Sequence, residues 1–215
     1  LTVTGDGGIT LSGNIYTSAD DTSAADITFN DTVNIQGTVV IDSNDSARDG
    51  TITFTTGIEG ADASGDNLTI EGGTAAVTLV PIGVNTALSS LTIANASTST
   101  ATITVPNIGS GAIGNVAGAG VTGAVSIGNT SAAKIVMSGN IYKTGGAVTL
   151  TTTGGTDASD IEIDFTKGAA VFIATSGDNV SLVGGDVSLA DGSHLTIDTN
   201  IADSGETNGG NISIA

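Results

Sequence analysis

The chain has 215 residues, 32 of them glycine, with hydrophobic residues at 39%, aromatics at 3% and no tryptophan. Any core is therefore built from Val, Ile, Leu and Ala. Four basic residues against 22 acidic give a formal charge of −18, which makes nucleic acid and anionic lipid poor partners, and the absence of cysteine excludes disulfides and thiolate metal sites.

Disorder requires low hydrophobicity as well as high charge, and here the charge is combined with regular aliphatic spacing. From Leu1-Thr2-Val3 onward an apolar residue, a Ser or Thr, and a second apolar residue recur fourteen times, ending at Ile212-Ser213-Ile214. Successive side chains of an extended chain point to opposite faces, so each triplet presents two apolar groups inward and one hydroxyl outward. Asp66-Asn67-Leu68-Thr69-Ile70-Glu71-Gly72-Gly73 shows the unit with its turn-forming flanks. Strands this short are stable only when stacked on others. No 3.6-residue pattern persists, and no apolar run approaches the roughly 18 residues of a membrane span. The reading is an all-β, parallel β-helix (β-solenoid) over 1–215, without membrane insertion.

Ser12-Gly13-Asn14-Ile15-Tyr16 returns unchanged as Ser138-Gly139-Asn140-Ile141-Tyr142. Four further blocks follow in matching order, which predicts two related halves, about 1–105 and 125–215, joined by a Gly-rich coil or linker at 106–124. The offset falls from 132 residues at Val39/Val171 to 112 at Asp66/Asp178. Read as the loss of one whole coil, that difference predicts about ten coils of roughly 20 residues and a rod on the order of 50 Å long. Tyr16 and Tyr142 hold equivalent places in the repeat, which predicts a shared packing role.

Gly109-Ser110-Gly111-Ala112-Ile113-Gly114 fits a dinucleotide fingerprint but lacks the helix that must follow it, so it reads as a turn. Asp42, Asn44, Asp45 and Asp49 place oxygen ligands along one loop, the chemistry a hard cation such as calcium takes; the alternative is a solvated acidic loop. Asp157, Asp160, Glu162 and Asp164 invite comparison with the carboxylates of a polysaccharide-active enzyme, yet only Lys167 stands near them as a basic partner. His194, the single histidine, reads as exposed. Stacked, the outward Ser and Thr form ladders of the kind that meet ice or carbohydrate. No catalytic or cofactor-binding residue is assigned.

With its tandem Gly-Asp-x-[LV]-[TS]-[IL] units and the run Ala87-Leu88-Ser89-Ser90-Leu91-Thr92-Ile93, the chain resembles the large repetitive bacterial exoproteins of the filamentous-haemagglutinin and adhesin type. That resemblance implies a right-handed parallel β-helix, export to the cell surface, and a role as adhesin, stalk or fibre. A non-catalytic extracellular structural protein is the expectation, with a polysaccharide-active β-helix enzyme or an ice-binding solenoid as alternatives. Strand-forming sequence at both ends predicts stacking end to end, and surface glycans or other cells are the further partners. A chain that begins at Leu1 rather than Met is expected to be a processed product or a piece of a longer one.

Overall fold

The computed structural model describes the chain except residues 18–24, 45–48, 63, 95–101, 112–117, 129–133, 153–162, 169, 185 and 201–208. Among the described residues every regular element is a strand, and all lateral strand pairings are parallel. The strands fall on three faces in rotation. The first face is one sheet eight strands deep, running from Thr2–Val3 through Ile27–Phe29 and Ile52–Phe54 to Val187–Leu189. The third face is also eight strands deep, from Ile15–Tyr16 to Ile212–Ile214. The second is split into two three-stranded sheets, with single bridges at Ile82 and Ile108 connecting them across the middle. The chain is a β-solenoid.

The coil differs in size and number from the sequence expectation. Among the described residues the first and third faces hold eight strands each, in place of the expected ten coils, and the rod is on the order of 35 Å between its first and last rung. Ile52 lies beside Val77 and Val33 beside Ile58, so a turn takes about 25 residues rather than 20, with longer ones where loops intervene, as from Leu91 to Val125. The error came from comparing unlike faces. Val39 lies on the third face and Val171 on the second, whereas Asp66 and Asp178 both adjoin third-face strands. The change in offset is a change of face, and no coil was lost.

Inside the rod the apolar positions form continuous files. Val39, Leu68, Leu91, Val125, Val148 and Val180 stand one above another on the third face, all essentially buried. On the first face Phe29 and Phe54 stack with ring centroids 5.0 Å apart. In-register stacking of like side chains fills each layer with the shape of the layer below, so each coil depends chiefly on its two neighbours.

The Gly-rich segment takes part in the stack where it is described. Ile108 bridges Ile82 on one side and Tyr142 on the other, and Val121 bridges Leu88 and Thr144. Its glycines answer a close backbone approach: a Cβ on Gly120 would come within 2.2 Å of the Gly109 nitrogen, and one on Gly83, at φ +63°, within 2.0 Å of the Gly120 carbonyl oxygen. Only glycine fits there.

Candidate functional site

Two files of outward hydroxyls are the most regular feature of the surface. On the first face Thr2, Thr28, Thr53, Thr78 and Thr104 are laterally paired in sequence, one per coil, before Val136 interrupts them. On the third face Thr69, Thr92, Ser126, Thr149, Ser181 and Ser213 do the same. Spacing along each file is the rung spacing, about 4.8 Å. Each file is a single row of hydroxyls; on the third face its flanking outward positions vary, with Asn67 and Ser90 on one side and Asp42, Glu71 and Ala94 on the other.

The second recurrent device is a side-chain acceptor at a corner that takes a backbone N–H from the neighbouring coil. The Asn14 amide oxygen accepts from the Val40 N–H at 2.9 Å, and the Asn107 oxygen from Asn140 and Ile141 at 2.8 and 3.2 Å. Asp66 is 1% exposed; its two oxygens accept from Gly37 and Asp62 at 2.8 and 2.9 Å. Glu59 occupies an outward position on the second face, yet it is 6% exposed because the turn after Ile82 folds over it. There it accepts from the N–H groups of Asn85 and Thr86 and from the Asn85 side-chain amide. Main-chain bonds between coils continue through several bends, and these acceptors supply partners for N–H groups that the main chain leaves open. Neither Glu59 nor Asp66 was singled out in the sequence. For Asp66 the available signal was a carboxylate just before a strand; Glu59 sits in the middle of the strand Ile58–Gly60 and carries no such mark.

Of the proposed cation ligands, Asp42 ends the third-face strand Thr38–Asp42, and Asn44 and Asp49 lie in the described parts of the segment that follows. Asp42 accepts from the Asn44 N–H at 2.8 Å, and its lateral neighbour is Glu71. Ser43 closes the neck of the loop, its hydroxyl donating to the Gly50 carbonyl at 2.6 Å. Asp49 reaches to the next coil, where it accepts from the Thr74 N–H and hydroxyl. Asp45 lies outside the described residues. Of the acids compared with a hydrolytic site, Asp164 faces outward, held by Lys134 at 3.2 Å and by the Ser188 hydroxyl at 2.8 Å; Asp157, Asp160 and Glu162 lie outside the described residues. His194 is exposed, at the start of the strand His194–Asp198.

The tyrosines do not share a role. Tyr16 is 65% exposed on the third face, where it accepts from the Asn14 side chain at 2.8 Å. Tyr142 is 1% exposed and points inward on the second face, its hydroxyl accepting from the Gly139 N–H at 2.7 Å and donating to the Val105 carbonyl at 3.2 Å. Burial pushes its phenol well above the ordinary value, against the opposing effect of the Gly139 N–H. An identical pentapeptide has thus been set one residue out of phase, which exchanges inside for outside. Tyr142→Phe is expected to cost about 1–3 kcal/mol by stranding the buried Gly139 N–H, while Tyr16→Phe changes little. Chemical denaturation of both variants checks this.

Lys143, also 1% exposed, donates from its ammonium to the Ser110 carbonyl at 3.0 Å, and burial pushes its pKa down. It stands beside Ala174 on the outer side of the second face, where Phe172 and Ala174 form a small buried cluster apart from the main core.

Fold and surface together define a β-solenoid repeat protein. Comparisons with protein-family models, curated proteins and solved structures gave no match to this chain.

Proposed function

We propose that this chain is a non-catalytic structural segment of an extracellular surface protein, an adhesin, stalk or filament. The carrying observation is that among the described residues the coils repeat the same inward apolar files, while side-chain acceptors such as Asp26, Glu59, Asp66 and Asn107 are engaged in joining one coil to the next. That arrangement serves length and stiffness. The outward hydroxyl files are the surface such a rod offers to surface glycans or to other cells.

The last coil supports stacking end to end. Leu189, Ile212 and Ile214 are 44, 50 and 58% exposed, and among the described residues the strand Ile212–Ile214 pairs on one side only, with residues 180–182. An added coil of the same pattern, from a second copy or from a continuation of the chain, covers this apolar edge and pairs its open backbone. A head-to-tail contact of this kind without rotational closure extends into a filament. The charge of −18 opposes contact at low ionic strength, and salt screens it. Sedimentation and electron microscopy of the purified chain are expected to show rods that lengthen with added salt or calcium. Monodisperse monomers at high concentration under both conditions would overturn the stacking.

A second reading, ice binding, rests on the five in-register threonines of the first face. It requires that Thr53→Asp abolish ice-recrystallisation inhibition, and a wild-type chain without that activity removes it.

A further inference from the structure

We propose that the fold carries an acid-release device at one end: near pH 3 the coils between residues 7 and 86 loosen while the later coils stay closed.

The basis is an asymmetry in what joins the coils. In the earlier part the joining acceptors are chiefly carboxylates. Asp26 accepts from the Thr51 N–H and hydroxyl at 2.8 and 3.0 Å, and Asp31 from the N–H groups of Gly7 and Gly8 at 3.2 and 2.9 Å. Asp49 takes the Thr74 N–H and hydroxyl, Glu59 those of Asn85 and Thr86 through their N–H groups, and Asp66 the Gly37 N–H. In the later part the corresponding acceptors are amides that do not titrate: Asn107 for Asn140 and Ile141, and Asn179 for Asn211 at 2.7 Å. The described acids there do other things. Asp164 binds Lys134 and Ser188, Asp198 accepts from Asn200 within its own turn, and among the described residues Asp178, Asp186 and Asp191 take no main-chain N–H from another coil.

Among the described residues the charges near these carboxylates are these. The Leu1 amino group lies near Asp26, Asp6 sits in the turn that Asp31 caps, Asp62 adjoins Asp66, and Asp42 and Glu71 are neighbours on the third face. Arg48, beside Asp49 in sequence, lies outside the described residues. The donors from Thr51 hold Asp26 below its ordinary value, and those from Thr32, Gly8 and Gly7 hold Asp31 below its own. A carboxylate lowered in the folded state contributes stability above its unfolded value of 3.8, and that contribution is lost as pH falls through the folded value. Protonation of Asp26 and Asp31 removes the charge assistance from their bonds.

Self-repulsion has the opposite sign. Residues 1–105 carry twelve acids and Arg48, against ten acids and three lysines in 106–215. Acid relieves repulsion more in the earlier part, so net charge alone would firm the coils that the lost carboxylate bonds loosen. Because each coil depends on its neighbours alone, one end opens without the other.

Hydrogen exchange read by mass spectrometry on the full chain, at pH 7 and at about pH 3 with intrinsic rates corrected, tests this. Protection in the strands of residues 27–60 is expected to fall by about tenfold more than in those of residues 134–183. In Asp26→Asn/Asp49→Asn a single oxygen at each site accepts the N–H and hydroxyl of Thr51 and of Thr74, so an amide oxygen takes these bonds without titrating, and the acid loss around residues 51 and 74 is expected to shrink. Equal loss in both parts, or full wild-type loss in the double variant, overturns the proposal. If the double variant does not fold at neutral pH, the wild-type comparison of the two parts decides alone.

Discussion

Ile70→Asp is expected to remove most of the stability of the coils around it, while Thr69→Asp, one residue away, leaves the fold intact. Ile70 is 0% exposed, in the inward file between Ile41 and Ile93. A carboxyl group there has only aliphatic neighbours above and below. It either remains charged at great cost or takes up a proton and still lacks a partner. The penalty is on the order of 3–5 kcal/mol, against the roughly 5–15 kcal/mol that holds an ordinary domain together. Thr69 points outward between Val40 and Thr92, where a carboxylate stays in water. Its cost is limited to repulsion from nearby acids such as Glu71. Denaturant unfolding followed by circular dichroism separates the two variants; similar midpoints would refute the inward and outward assignment.

That assignment was legible because alternation is local. All fourteen triplets fall in or at the edge of strands, and their first and third residues form the inward files, except Leu1, Leu189, Ile212 and Ile214, which are exposed in the first and last rungs. What could not be read was which face a triplet belongs to. Leu91-Thr92-Ile93 and Leu195-Thr196-Ile197 are the same unit, yet the first stacks on the third face and the second on the second face. Nothing within three residues distinguishes them. The face is set by the number of residues spent on the preceding corner, and corners here vary in length, their backbone groups being satisfied by a mixture of main-chain carbonyls and side-chain acceptors of the neighbouring coil. The same gap hid the corner acceptors: Asp66 and Glu59 resemble any surface acid until the neighbouring coil, 29 or 26 residues away, brings Gly37 or Asn85 to them. The alternation rule also fails at Phe172, which lies outward between Ile141 and Thr196 and is nevertheless buried.

Removing residues 52–76 is expected to yield a folded solenoid one coil shorter. The cut takes out one strand from each face, Ile52–Phe54, Ile58–Gly60 and Asn67–Glu71. It joins Thr51 to Val77, the lateral partner of Ile52. Three pairings then re-form in register: Ile27 beside Val77, Val33 beside Ile82, and Val39 beside Leu91. Each of these follows from partners that share the deleted strand as a common neighbour. Thr51 also keeps its place before the first-face strand, so the Asp26 carboxylate still finds its N–H and hydroxyl. Removing only 52–64 takes out the first- and second-face strands and leaves the third. Two third-face strands then follow one another with no path around the core, and every later coil is displaced by two faces. Files that were continuous would end against polar corners, with an apolar layer exposed on both sides of the break. The shorter deletion is therefore the destructive one. Circular dichroism and thermal unfolding are expected to show a cooperative β-protein for the 52–76 deletion and a largely unfolded or aggregated chain for the 52–64 deletion. Two equally cooperative unfolding curves would show that a coil of about 25 residues is not the unit of this fold.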